Sequence, residues 1–323
     1  MVPADAAKVP RPRVKMNTTT VPKVMQQGAI TPWLYLLPAI VIMFIFIVYP
    51  AANTFYLSFR NSTNTDWASA ACVPAEPCWG ILENYRYALT SEIMRIAFFN
   101  NLMWIVIMVS ATVALGLLIA VLADRVRYEP WAKALIFMPM AISFVGAGVI
   151  WKFVYDYRPG SDQIGLLNAI VVALGGQPIP WLTVPFVNIL ALNVVGIWVW
   201  TGFCMTILAA AVKGVPSELL EAGRLDGAGE LQLFRHITVP IIMPTIAVVV
   251  TTMVINVLKI FDIVYVMTGG NYGTQVIANQ MYIEQYTNFQ TGRAAAIAVV
   301  LIAVILPAMY FNIRRFREQE ATR

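Results

Sequence analysis

The sequence predicts an all-α, polytopic membrane protein with six transmembrane helices. Hydrophobic residues make up 59% of the 323 residues and charged residues only 12%, and the mean hydropathy is +0.70. Soluble globular domains carry roughly 45–50% apolar and about 25% charged residues. The apolar residues are also grouped in windows long enough to cross a hydrocarbon core, which takes about 20 helical residues. These two observations exclude a soluble globular protein.

Six apolar windows define the predicted spans. In chain order they cover approximately residues 33–55, 96–123, 131–155, 184–212, 239–267 and 294–311. Because the number of spans is even, both termini are expected on the same side of the membrane.

The distribution of lysine and arginine predicts which side that is. The N-terminal tail, the second and fourth loops and the C-terminus hold 15 of the 22 lysines and arginines, and the opposite loops hold five. Cytoplasmic segments carry this excess. We therefore expect a cytoplasmic tail at 1–29, a transmembrane domain at 30–315 and a cytoplasmic tail at 316–323, in the plasma membrane. The basic residues are scattered without an aromatic platform, so nucleic-acid binding is not expected.

A polar, glycine-containing stretch at residues 215–240, between the fourth and fifth spans, has the pattern of a short helix. Pro216 suits the first helical position, where its missing N–H needs no partner. Gly227 and Gly229 can adopt the left-handed conformation that ends a helix. A second short helix, over 230–238, would lead into the fifth span.

Five residues of this stretch have the spacing E-A-A-x-x-x-G-x(9)-I-x-L-P, namely Glu221, Ala222, Gly227, Ile237 and Pro240. The stretch resembles the coupling loop of membrane permeases from binding-protein-dependent ABC importers. Gly223 replaces the second alanine of the pattern, and Val239 replaces its leucine. The resemblance implies a type I ABC importer permease fold, with a coupling loop at 213–238 that docks on a separate ATPase. An ordinary amphipathic loop helix is the alternative. The residues assigned to ATPase coupling are Leu219, Glu221, Ala222, Gly223, Asp226 and Gly227.

The sequence contains no site at which this chain would hydrolyse ATP. The phosphate-binding pattern G-x-x-x-x-G-K-[ST] is absent. ATP and Mg²⁺ are therefore expected on a partner ATPase, and this chain is expected to bind no cofactor and no metal. The single histidine, His236, has no paired nucleophile, so it is expected to meet helix-terminal carbonyls or a partner surface. No enzyme activity is predicted.

The three cysteines fall into two groups. Cys72 and Cys78 lie in the first external loop, where an oxidising compartment would permit a disulfide. A metal site is an alternative there, although two thiols fall short of four ligands. Cys204 lies in the fourth span and is expected to be a small, buried apolar residue.

Polar residues inside the spans mark a candidate translocation path, because such groups usually face a protein interior or a water-filled cavity. Lys259 and Asp262 share a predicted helical face of the fifth span, either as path residues or as a structural ion pair. Trp198 and Trp200 would offer flat surfaces to a sugar, or would anchor the fourth span at the membrane interface. The path candidates are Asn193, Trp198, Trp200, Thr201, Asn256, Lys259 and Asp262.

The substrate class follows from a further resemblance. The run FDIVYVMTGG at 261–270 and the segment GRAAA at 292–296 resemble the sugar-permease branch that includes the first membrane subunits of maltose and glycerol-phosphate importers. Segments 148–155 and 165–168 are similar to α-glucoside permeases. Asn271 stands where this branch usually has proline after the glycine pair.

The resemblance also implies the partners and the mechanism. The chain would form half of the path with a second permease, beneath an extracytoplasmic sugar-binding protein and above a cytoplasmic ABC ATPase dimer. ATP-driven closure of the motor would switch the membrane halves between inward-open and outward-open states. Glycerol phosphate is an alternative substrate, although the spans show no arginine cluster for an anion. An ion-coupled secondary transporter using Lys259 and Asp262 is the alternative class, although no inverted hydropathy repeat is discernible.

Overall fold

The computed structural model describes residues 31–61, 80–123, 127–160 and 162–321. The predicted N-terminal tail and the Cys72 and Cys78 pair lie outside these residues. The helices are, in chain order, α1 (Pro32–Leu57), α2 (Glu83–Thr90), α3 (Glu92–Ala123), α4 (Glu129–Ala141), α5 (Phe144–Val154), α6 (Leu166–Ala173), α7 (Val187–Lys213), α8 (Ser217–Leu225), α9 (Glu230–Leu258), α10 (Asp262–Met267), α11 (Ile277–Tyr286) and α12 (Thr291–Ala321).

Within the described residues, five of these helices are long and apolar enough to cross a membrane: α1, α3, α7, α9 and α12. The pair of α4 and α5 makes a sixth crossing if it is counted as one bent span. The prediction of an all-α protein with six spans is confirmed.

The third predicted span is bent, whereas the sequence predicted one continuous helix over 131–155. The axes of α4 and α5 differ by 98°. Pro139 lies in the 3₁₀ turn that ends α4, and Ser143 caps α5 by accepting a hydrogen bond at Oγ from the Gly146 backbone N–H at 3.0 Å. A proline and an N-cap serine together end one helix and begin another. Because the residues on both sides of the bend are apolar, hydropathy alone does not reveal it.

The fifth predicted span is also shifted and broken. α9 begins at Glu230 and ends at Leu258, and the chain leaves the helix before α10 begins. Asn101 of α3 stabilises this break: its Nδ2 donates to the Leu258 carbonyl at 3.3 Å, and its Oδ1 accepts from the Ile277 N–H at 2.9 Å. A carbonyl at a helix end needs such a partner when it is buried.

The chain divides into two compact contact units, Met1–Ala52 and Asn53–Arg323. The described part of the first unit belongs to α1, whose side chains are exposed up to Ala52. An apolar helix with exposed side chains suits contact with lipid or with another subunit.

In the second unit, α7 is the central helix and is packed closely by its neighbours. A Cβ atom added to Gly116 of α3 would lie 2.7 Å from the Cys204 Cβ, and one added to Gly202 would lie 2.6 Å from the Ile136 carbonyl oxygen of α4. Small residues let membrane helices approach in this way. Cys204 is fully buried, which confirms its predicted role as a small core residue. A second hydrophobic cluster joins α2, α11 and α12 to the ends of α3 and α9.

Candidate coupling and translocation site

The start of α8 differs slightly from the prediction. Its first helical residue is Ser217, and Pro216 precedes it as the N-cap residue instead of occupying the first position. Gly229 was predicted to adopt a left-handed conformation, which is wrong: its φ is −74°, and it is the N-cap of α9. The chain therefore needs only one left-handed residue to turn between the two helices.

That residue is Gly227, whose φ of +85° confirms its prediction. Two hydrogen bonds of 3.0 Å surround it, from the Gly227 N–H to the Arg224 carbonyl and from the Ala228 N–H to the Gly223 carbonyl. This pair is a Schellman motif, in which a left-handed residue lets the chain satisfy the last carbonyls of the helix. It defines the angle at which the chain leaves α8.

Gly223 packs against the chain itself and does not face outward. A Cβ atom at this position would lie 2.5 Å from Leu233 Cδ2 and 3.1 Å from Ile237 Cδ1. The assignment of Gly223 to ATPase coupling therefore needs correction, because α9 and not a partner fills the space at this glycine. Its missing side chain lets α9 approach α8, while Ala222 is exposed.

The outer surface of α8 is apolar and acidic and is exposed in this chain. Leu219 is 47% exposed and Leu225 is 89% exposed, and Glu221 and Asp226 are exposed beside them. Leucines at such exposure commonly mark a surface that a partner covers. Leu220, on the inner side, lines a cavity of about 590 Å³ between α8 and the ends of α3, α7 and α9.

One ion pair ties α8 to α9 at this end, and a second polar contact lies within α9. Arg224 Nε donates to Glu230 Oε1 at 3.0 Å, which joins the last turn of α8 to the first turn of α9. His236 Nδ1 lies 3.0 Å from the Gln232 carbonyl oxygen, one turn earlier in the same helix. The Gln232 carbonyl lies in the first turn of α9 and is not one of the carbonyls that end a helix, so of the two expectations for His236 contact with a partner surface stays a prediction.

A further ion pair joins the start of the bent span to the end of α7. Glu129 Oε1 lies 2.6 Å from Lys213 Nζ, and the same oxygen accepts from Lys133 Nζ. Lys213 is the last residue of α7, directly before the coupling segment. The ion pair therefore links the end of α7, next to α8, to the start of α4.

The polar path candidates of the fourth span are buried and bonded within their own helix. Asn193 Nδ2 donates to the Ile189 carbonyl at 2.8 Å, and Thr201 Oγ1 donates to the Ile197 carbonyl at 2.6 Å. Asn193 is fully buried, and its Oδ1 has no hydrogen-bond partner within the described residues. An unsatisfied buried oxygen of this kind is a candidate contact for a polar ligand in another state of the protein.

Trp198 and Trp200 belong to an aromatic cluster near the middle of α7. The Trp198 ring meets the Trp151 ring edge-on at 5.7 Å, and the Trp200 ring stacks on Phe144 at 5.8 Å. Both partners come from α5, after the bend. Their position near the middle of a 27-residue helix does not fit the alternative of interfacial anchoring.

The fifth-span candidates lie at the end of α9 and beyond it. Asn256 Nδ2 donates to the Thr252 carbonyl at 2.9 Å. Lys259 follows the last residue of α9 and is exposed, while Asp262 begins α10. The expectation that Lys259 and Asp262 share a helical face is wrong, because the break lies between them. No ion pair joins them among the described residues.

The break also carries an aromatic cluster that sequence reasoning missed. The Phe261 and Tyr265 rings stack at 5.1 Å, and Tyr282 lies 5.0 Å from Tyr265 and 4.8 Å from Tyr286. The sequence did contain a signal, since both Phe261–Tyr265 and Tyr282–Tyr286 are four residues apart, one helical turn. This cluster places exposed ring surface at the break, where Tyr265 is 44% exposed.

A buried carboxylate lies close to this region and was also missed. Glu284 is 1% exposed, and its Oε1 accepts from Tyr87 Oη at 2.7 Å, Gln280 Nε2 at 2.8 Å and Asn288 Nδ2 at 3.0 Å. Burial and the bond to Glu284 raise the pKa of Tyr87 to about 12. Tyr87 therefore stays a neutral donor at all physiological pH values and holds α2 against α11.

These helices define a polytopic membrane protein whose short helix α8 is exposed. The chain belongs to the family described as the binding-protein-dependent transport system inner membrane component, which matches residues 112–317.

Curated relatives and solved structures agree with that family. The chain is 51% identical to the osmoprotective compounds uptake permease protein GgtC of Synechocystis, over 90% of this chain and 100% of the relative. It is 47% identical to the alpha-glucoside transport system permease protein AglF of Rhizobium meliloti, over 89% of this chain and 82% of the relative. A bacterial alginate ABC importer matches with a TM-score of 0.72 at 22% identity, covering 88% of this chain and 95% of the matched chain, and supports the fold.

The chain is therefore a multi-pass, inner-membrane permease subunit of an ABC importer. It is a transport subunit and not an enzyme, and ATP is hydrolysed on a partner chain. The predicted permease function and the resemblance to sugar permeases are confirmed.

Proposed function

We propose that this permease imports small α-glucosides. The observation that carries the proposal is the pair of relatives that match about nine-tenths of the chain at 51% and 47% identity. One is named for alpha-glucosides and the other for osmoprotective compounds. A glucoside that also serves as an osmoprotectant would be a substrate consistent with the names of both relatives.

The assembly that we propose has one copy of this chain beside a second, similar permease. Two ATPase subunits bind ATP and Mg²⁺ beneath them, and a sugar-binding protein docks on the opposite face. The loop at 213–238 couples to the ATPase, and both termini lie on that cytoplasmic side. The exposed, apolar and acidic surface of α8 supports this arrangement, because docking would remove Leu219 and Leu225 from water.

The path that we propose runs past the broken end of α9. Lys259 is exposed there, and Tyr265 presents a 44% exposed ring that is stacked on Phe261. An aromatic face suits the C–H face of a pyranose, and a lysine ammonium donates to its hydroxyls. Asn193 and Asn256 would add amide contacts if the spans around them separate during the transport cycle.

The test is transport by the whole importer, co-purified with its partners and reconstituted in proteoliposomes with its binding protein. Uptake and ATP hydrolysis are measured with α-glucosides, with the matched β-glucosides and with glycine betaine as an osmoprotectant that is not a sugar. The proposal expects α-glucosides to stimulate both activities. Stimulation by glycine betaine without α-glucosides, or by β-glucosides alone, would contradict it.

A further inference from the structure

An open groove lies at the end of α7 opposite the coupling segment. Because α7 has 27 residues at about 1.5 Å each, its two ends are about 40 Å apart. The groove has a volume of about 620 Å³ and lies between the start of α3, the start of α7 and the loop after α10. Three aromatic rings line it, and each is 59% exposed: Phe99, Phe186 and Tyr272.

Two of these aromatic residues have an unfavourable backbone conformation. Phe186 has a φ of +68° and Tyr272 a φ of +56°. Bulky residues rarely occupy this left-handed region, because the Cβ crowds the following carbonyl, and glycine or asparagine occupies it more easily. Their exposed rings also bury little surface that would offset the strain. Strained residues of this kind cluster at functional sites, which indicates that the rings serve binding and not folding.

Buried amides hold this strained conformation in place. Asn188 Nδ2 donates to the Tyr272 carbonyl at 2.8 Å, and Asn100 Nδ2 donates to the carbonyls of Gly273 at 2.7 Å and Gln275 at 2.8 Å. Asn188 is 0% exposed and Asn100 is 1% exposed. The loop that carries Tyr272 is thus fixed to both α3 and α7, which presents the ring in one orientation before any ligand arrives.

Charged groups of both signs complete the groove. Glu92 and Arg95 lie on the first turn of α3 and line it, three residues apart and therefore on one helical face. Ring faces beside a carboxylate and a guanidinium match a sugar, whose C–H face packs on aromatics and whose hydroxyls both donate and accept. A simple anion would be repelled by Glu92, and an apolar ligand would leave both charges unsatisfied.

We propose that this groove is an entry subsite that binds one pyranose ring of the imported sugar at the face opposite the coupling loop. The inference rests on the proposed function as a glucoside importer. The volume lies within the roughly 300–1,000 Å³ of ligand-binding clefts. The subsite would receive the sugar before it reaches the broken end of α9.

The first measurement locates the sugar. 4-Fluorophenylalanine is incorporated at position 186, or at position 289 as the matched control, in the full importer in lipid nanodiscs without the binding protein. Phe289 is also left-handed, with a φ of +54°, and is 73% exposed, but it does not line the groove. Titration with trehalose and with maltose should shift the fluorine resonance at 186 and leave the resonance at 289 unchanged. Equal behaviour of the two labels would overturn the inference.

The second measurement tests function with Phe186→Gly and Tyr272→Gly, and with Phe289→Gly as the control. All three substitutions place a glycine at a positive φ, so the complex should stay assembled and thermally stable. The groove variants should raise the half-saturating sugar concentration for uptake at least fivefold, and the control should not. Groove variants that transport normally, or that only need more binding protein for half-maximal ATPase stimulation, would overturn the sugar assignment. A wild-type importer that carries no α-glucoside would instead contradict the proposed function itself.

Discussion

The two loops at opposite ends of α7 contain similar types of residue but differ in how much of their surface is exposed. The α7–α9 loop, which contains α8, leaves Leu219, Glu221 and Leu225 exposed. The α10–α11 loop exposes Tyr272 but is buried from Thr274 into the first turn of α11, where its side chains bond one another. The buried part of this loop finds its partners within the chain, whereas the α7–α9 loop leaves its surface for a partner.

Glycines show the same difference. Gly227 and Gly270 have nearly the same positive φ, +85° and +84°. Nothing lies within 4 Å of a Cβ atom added to Gly227, whereas one added to Gly270 would lie 2.6 Å from Asn279 Nδ2 and closer still to Gln275. The first glycine serves only the turn, and the second also makes room for the buried amides. A glycine with a positive φ therefore marks a simple turn in one loop and close packing in the other.

The largest expected effect comes from reversing a charge on the exposed loop. Glu221→Lys should reduce uptake by about 30-fold or more, the loss for a contact worth ~2 kcal/mol at an interface. Because Glu221 is exposed, membrane insertion and the melting temperature should not change. Glu218→Lys is the matched control, since Glu218 is exposed on the same helix but lies outside the coupling residues. Equal uptake by the two variants would remove the distinction between a coupling surface and an ordinary loop helix.

Two asparagines, each at most 2% exposed, test how much buried amide side chains contribute to stability. Asn101→Leu leaves the Leu258 carbonyl and the Ile277 N–H unpartnered, at about 1–3 kcal/mol for each buried group. The melting temperature of the complex should fall by several degrees. Asn193→Leu removes an oxygen that already lacks a partner and a bond to the Ile189 carbonyl, which also accepts within the helix, so stability should change by less than about 1 kcal/mol.

The Asn193→Leu variant then also tests the path. A rise in the half-saturating sugar concentration at normal stability would support Asn193 as a path residue. Unchanged uptake would leave it as a packing residue and remove it from the path. If Asn193→Leu lost as much stability as Asn101→Leu, the hydrogen bonds of Asn101 would contribute no more than an ordinary buried asparagine. That result would contradict the role of Asn101 in stabilising the break.

A smaller effect is expected at the ion pair behind the coupling loop. Glu129→Gln should lower the amount of sugar imported per ATP hydrolysed by a factor of roughly two to five, as expected for a partly exposed pair. The combined reversal Glu129→Lys with Lys213→Glu should restore part of the ratio. Glu83→Gln, which weakens the 3.5 Å pair with Arg86 on α2, is the control and should leave the ratio unchanged. A fall in uptake and ATPase activity together would indicate loss of assembly.

The smallest effect is expected at Gly223. In Gly223→Ala the new Cβ meets only the ends of two flexible side chains, Leu233 and Ile237, and the better helix propensity of alanine, about 1 kcal/mol, offsets the crowding. Uptake and melting temperature should stay close to wild type. Gly223→Leu should separate α8 from α9 and lower uptake strongly at unchanged insertion. Equal tolerance of both substitutions would show that the close approach is dispensable.

The sequence was sufficient for features that depend on local composition and spacing. Apolar windows predicted the six crossings, and the residues from Pro216 to Gly227 predicted a helix that ends at a left-handed glycine. Features that depend on distant partners were missed. The end of α9 at Leu258 relies on Asn101, and the burial of Glu284 relies on Tyr87, 197 positions earlier in the chain. The polar residues Gln275, Asn279, Gln280 and Glu284 therefore read as solvated until the fold supplies their partners.

α9 connects the proposed coupling loop to the proposed path. Its 29 residues extend about 43 Å from the turn at Gly227 to the break at Leu258. The helix is not uniform along this length, because Phe234–Thr238 is a π-helical segment and Pro244 lies inside α9, where the proline ring removes one backbone hydrogen bond. Helices bend at such positions. A displacement of the proposed coupling loop would therefore reach the proposed path through a helix with two built-in bending points.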